Sequence, residues 1–120
     1  KVYFLFIIMA NVYKNIQAVI DAAASDVDMY TAPAETTSIV KSIKLYNTHG
    51  GNLVVDVTVY DASSTTDFEY ETVTVNTSAS EDLLSEGNVL ILEAGDILKM
   101  QTPTADVVKM TAAVLQTSRT

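Results

Sequence analysis

Alternation of apolar and polar positions is the clearest signal along the chain. In residues 52–62, NLVVDVTVYDA, Leu53, Val55, Val57 and Val59 share one parity, while Asp56 and Thr58 take the other. Strand side chains point alternately to opposite faces, so this pattern predicts a strand buried on one face. Residues 38–47, SIVKSIKLYN, set Ile39, Ile43 and Leu45 on one parity. Between them lies THGG, where Gly50 and Gly51 can take positive φ. The two segments are therefore expected to form a β-hairpin. In FEYETVTVN (68–76), Phe68 and Tyr70 face one way and Val73 and Val75 the other. A change of face midway predicts a bulge, or a strand that leaves one sheet for another. NVLILEAGDILKMQT (88–102) reads as two short strands around the turn Glu93-Ala94-Gly95-Asp96. There Gly95 supplies a positive φ and Asp96 caps its own turn. DVVKMTAAVLQTS (106–118) closes the chain as a strand, with Val108, Met110, Ala112 and Val114 on one parity.

The first third is less regular. NVYKNIQAVI (11–20) suits a strand or one or two helical turns, since Val12, Ile16, Val19 and Ile20 also fit a helical period. Val27, Met29 and Tyr30 are expected to anchor an extended stretch, and Pro33 ends any regular element and biases Ala32 towards an extended backbone. ASSTTD (62–67) is a polar loop, and TSASEDLLSEGN (77–88) a longer connection with Leu83 and Leu84 tucked beneath it. The sum is about seven or eight strands with turn signals between them, too closely spaced for the helical crossovers that parallel pairs need. The expected fold class is all-β: an antiparallel β-sandwich, jelly-roll-like, with an extended N-terminal arm.

Residues 1–8, KVYFLFII, are almost wholly apolar and do not alternate. Eight residues fall far short of the roughly 20 that span a bilayer as a helix. They read in two ways. Met9 opens MANVYKN like a translation start, which would put the segment upstream of the usual one. Alternatively the segment is a strand buried on both faces, within its own subunit or inserted into a neighbour's sheet. Residues 1–10 are thus expected to be an apolar arm or strand, and residues 11–120 a single β-sandwich domain.

Composition narrows the function. The chain has 120 residues, 48% hydrophobic and 18% charged, with no cysteine, no tryptophan and one histidine. Seven basic residues against 15 acidic ones give a net charge of −8. Proteins bind nucleic acid by neutralising phosphates with Lys and Arg, so this balance disfavours nucleic acid and anionic membranes as partners. A hydrolytic triad would have to use His49, which sits beside Gly50-Gly51 at a turn. One histidine and no cysteine leave a zinc site short of ligands. Glu69 and Glu71 share a strand face at i and i+2, but no aromatic platform accompanies them as in a glycosidase cleft. The loop 61–67 lacks the ligand spacing of a calcium site, and Glu93 and Asp96 read first as turn residues. No catalytic residue, cofactor or metal is expected.

Several stretches carry a family resemblance: Tyr30-Thr31-Ala32-Pro33, the run Thr37 to Ile43, and Leu90-Ile91-Leu92-Glu93-Ala94-Gly95-Asp96-Ile97-Leu98-Lys99. Residues 34–118 resemble small virion proteins of tailed bacteriophages, especially marine ones. The resemblance implies an oligomeric all-β subunit of the head, neck or tail, located in the virion. Its partners would be its own copies and other virion proteins such as the major capsid protein. The expected interface residues are Val2, Phe4, Phe6 and Ile8 of the arm with Tyr46, Tyr60 and Tyr70, joined by Tyr13 as a further amphipathic anchor. Two other readings of the same residues are a filament subunit joined by donor-strand exchange of residues 1–8, and a receptor- or carbohydrate-binding sandwich.

Overall fold

The structure, a computed structural model, describes residues 9–119. Among these it contains nine strands and no helix. They are β1 (Met9–Val19), β2 (Val27–Thr31), β3 (Thr36–Asn47), β4 (Leu53–Asp61), β5 (Thr66–Val75), β6 (Ser80–Asp82), β7 (Leu90–Leu92), β8 (Ile97–Gln101) and β9 (Val108–Arg119). The stretch 11–20, compatible with a strand or a helix, is extended. It forms most of β1, which pairs with β9 from Met9↔Arg119 to Val19↔Lys109. Met9 and Ala10, expected in an arm or strand, are the first residues of this strand.

Two antiparallel sheets face each other. The first has the order β1-β9-β3-β6, with β7 also pairing β3; the second has the order β2-β8-β4-β5. Most successive strands change sheet. The chain therefore winds as a jelly roll, which closes a core between two layers without helices. Val40, Ile43, Leu45, Met110, Ala112 and Val114 line the core from the first sheet, and Val55, Val57, Val75, Leu98 and Met100 from the second. Each fully buried Val, Leu or Ile stabilises by roughly 1.5–3 kcal/mol through removal of apolar surface from water. The parity read for β9 holds, with Val108, Met110, Ala112 and Val114 all buried. Leu83 is buried beneath the 77–88 connection, as expected, and Leu84 packs against the core. That connection also contains β6, which pairs with Lys44–Tyr46 of β3 and was not anticipated.

The expected hairpin of residues 38–47 and 52–62 does not form. β3 pairs with β6, β7 and β9 in one sheet, and β4 with β5 and β8 in the other. The chain crosses between the layers after Asn47, so the core faces of β3 and β4 lie on opposite sides of the core. The glycines of the turn do not take positive φ either; of the four glycines only Gly87 and Gly95 do. Asn47 makes the corner instead. Its buried side-chain amide donates to the carbonyls of Gly51 (2.9 Å) and Val75 (3.0 Å), and its Oδ1 accepts from the His49 backbone N–H (2.8 Å).

Two bulges reset parity. In β3 the register shifts between Val40 and Ser42, so Val40 is buried with Ile43 and Leu45. Ile39 therefore leaves the core face to which simple alternation assigned it. In β5 the shift falls where Val57 pairs Glu71 and Thr58 pairs Glu69, leaving Tyr70 as the extra residue. The change of face read from FEYETVTVN is that bulge. It also gives Glu69 and Glu71 consecutive partners, Thr58 and Val57, in place of the i and i+2 spacing of an unbroken strand.

The turn Glu93–Asp96 fastens the other end. Gly95 has φ +87°. Asp96 accepts from the Glu93 backbone N–H (2.9 Å) through Oδ2, as a turn cap, and through Oδ1 from the N–H of Ala62 beyond β4 (3.0 Å). Backbone bonds between Ala32 and both Gly95 and Asp96, each 2.9 Å, tie in the end of β2.

Candidate interaction surface

The outer face of each sheet follows from register. On the first sheet, the residues opposite to the core parity are Tyr13, Asn15, Gln17 and Val19 of β1, Lys109, Thr111, Ala113, Leu115 and Thr117 of β9, and Thr37, Ile39, Lys44 and Tyr46 of β3. One row on this face is apolar across four strands. Tyr13 pairs Leu115, Leu115 pairs Ile39, and Ile39 pairs Ile91. Tyr13 is 72% exposed and Ile91 57%, with Ile39 and Leu115 half-buried by their neighbours. The Lys41 ammonium, at the β3 bulge, lies 5.7 Å from the centre of the Tyr13 ring.

The second sheet turns out Asp28, Lys99, Thr58 and Glu69 in one row and Gln101, Asp56 and Thr72 in the next. Asp56 accepts from the Thr72 hydroxyl (3.0 Å). Lys99 contacts Asp67 at 3.3 Å and lies 5.0 Å from the centre of the Tyr60 ring. A shallow concavity at the β5 bulge is bordered by Asp26, Asp56, Glu69, Tyr70 and Glu71. Burial, and then the charge of Glu71, hold the Tyr70 phenol above its ordinary range. At the nearby tip, hydrogen bonds from the Ser63 and Ser64 hydroxyls hold the exposed Asp61 carboxyl below its usual range. Among the described residues no three His, Cys, Asp or Glu side chains are grouped as metal ligands. His49 is half-buried beside the Asn47 corner.

The structure does not gather the expected interface residues into one patch. Tyr46 stands on the first sheet, opposite Lys109 and Ser80, with Tyr13 farther along the same face. Tyr60 and Tyr70 belong to the second sheet, on β4 and β5. Val2, Phe4, Phe6 and Ile8 lie outside the described residues. Sequence reasoning missed Ile39, Leu115 and Ile91 as surface groups. The local sequence carried no signal for the break, because Ile39 is as apolar as Val40 and keeps parity with Ile43 and Leu45.

No protein-family model matches the chain, and no curated protein matches it by sequence. Similarity appears at the level of fold. A protein of Bacillus endospore appendages, described as forming a family of disulfide-linked pili, superimposes with a TM-score of 0.56 at 15% identity, over 93% of this chain and 89% of that one. The virus-like particle of extra small virus from the giant freshwater prawn Macrobrachium rosenbergii gives 0.51 at 14% identity, over 98% and 84%. These likenesses place the protein in a class, the two-sheet all-β fold found in both a pilus and a virus-like particle. These 120 residues contain no cysteine.

Proposed function

We propose that the protein is a non-enzymatic structural subunit of a particle outside the cell, and more narrowly a virion protein: a capsid decoration (cement) subunit or a small neck or tail component. The observation that carries this reading is the apolar row Tyr13–Leu115–Ile39–Ile91. It lies outside the core, with Tyr13 and Ile91 exposed to solvent, and so suits contact with another protein. The resemblance to tailed-phage virion proteins and the fold shared with a virus-like particle support the same reading. Its partners would be its own copies and other virion proteins such as the major capsid protein, with Tyr46, Tyr60 and Tyr70 as further contacts. Many copies on a lattice convert modest contacts into firm attachment. Light scattering on the purified protein is expected to give a mass well above the 13.0 kDa of one chain, and mass spectrometry of purified particles to find it in many copies. A protein that stays monomeric at all concentrations rejects the reading.

The fold shared with a spore pilus favours a second reading, a filament subunit in which residues 1–8 complete the next subunit's sheet. Deleting those residues would then abolish assembly and leave a soluble, less stable monomer. Unchanged assembly excludes it.

A further inference from the structure

The two outer faces of the sandwich carry opposite charge. The chain as a whole is acidic, at −8. Yet on the outward strand positions described for the first sheet, Lys41, Lys44 and Lys109 stand with one carboxylate, Asp82 of β6. Lys44 and Asp82 approach to 4.0 Å, which leaves Lys41 and Lys109 without an acidic partner among the described residues. The second-sheet face presents Asp28, Asp56, Asp67 and Glu69 around a single lysine, Lys99. Asp67 takes that lysine at 3.3 Å, leaving Asp28, Asp56 and Glu69 without a cationic partner in the same sense.

We propose that these faces bind each other between successive copies of the chain, the first-sheet face of one molecule seating on the second-sheet face of the next. Resting on the reading of the protein as an assembling subunit, this names the partner as a second copy and the contact as head to tail. A two-fold dimer through either face would oppose like charges, lysines to lysines or carboxylates to carboxylates, which costs free energy. Opposite faces bring Lys41 and Lys109 against Asp28, Asp56 and Glu69. They also set the apolar row of the first sheet against a face that holds apolar surface of its own, at the exposed Val54 and the half-buried Tyr60. Four strands at about 4.8 Å spacing and some ten residues long present a face of roughly 600 Å². That is below the roughly 800 Å² per partner of a standard stable interface, so each contact is weak and the stack depends on repetition. A head-to-tail contact does not close on itself in pairs; it propagates into a ring or a filament.

The test uses charge reversal in the full chain. Lys41→Glu with Lys109→Glu makes both faces acidic; Asp28→Lys with Glu69→Lys makes both basic. All four side chains are exposed, so the fold is expected to persist, which circular dichroism checks. By light scattering near physiological ionic strength, each variant alone is expected to lose assembly by about tenfold or more, and an equimolar mixture to recover it as an alternating stack. Raising salt is expected to weaken the wild-type assembly, a readout that needs no substitution. Variants that each assemble like the wild type, a mixture no better than its parts, or a salt-insensitive wild-type assembly overturn the head-to-tail contact while leaving an assembling protein. A wild type that never assembles removes both proposals.

Discussion

At the scale of single residues, Asn47 joins the corner after β3 to the end of β5. It is fully buried, and its amide makes three hydrogen bonds to backbone groups of the corner and of β5. Replacing it leaves those groups short of a partner in a dry site, where an unmade hydrogen bond costs the desolvation of the group. Asn47→Ala is therefore expected to lose about 2–3 kcal/mol in urea unfolding, and Thr48→Ala, whose hydroxyl bonds at the exposed surface, well under half of that. Asp96 does the same work at the other end, where both carboxylate oxygens serve backbone N–H groups. Its role as a turn cap was legible in the sequence, because Glu-Ala-Gly-Asp specifies local geometry. The reach of Asp96 to Ala62 and of Asn47 to Val75 was not legible, since both partners arrive from distant strands.

At the scale of elements, the bulges decide which residues are core and which are surface. One extra residue reverses every side chain beyond it. In β3 the reversal keeps Val40 inside and sends Ile39 outside, beside Leu115 and Ile91. Val40→Ala is thus expected to destabilise the fold by about 2 kcal/mol and Ile39→Ala by well under 1 kcal/mol, compared by denaturant titration. Equal losses would place both on the core face and remove the bulge. The FEYETVTVN bulge was readable because aromatic and β-branched residues change parity in plain view. The β3 bulge was hidden because Ile39 is as apolar as its neighbours.

At the scale of the whole molecule, the first and last strands pair along their length, so Met9 meets Arg119. A jelly roll built on such contacts must close very long loops before it gains their stabilisation. Folding is accordingly expected in the range of milliseconds to seconds, measured by stopped-flow fluorescence of the tyrosines. Relaxation in microseconds would contradict the topology. The same topology sorts the lysines and carboxylates into opposite faces. β1, β3 and β9 lie together on one side although they are far apart in sequence, and β2, β4, β5 and β8 share the other.

The class of fold is legible in the order of residues. Period-two patterning and closely spaced turn residues are local properties, and they leave an antiparallel sandwich as the way to bury every apolar face. Tertiary structure alone decided which strands are neighbours, which apolar residues stay outside, and how charge divides between the faces. Those outcomes depend on pairing across most of the chain and on where an extra residue is accommodated, and neither is written in any local stretch.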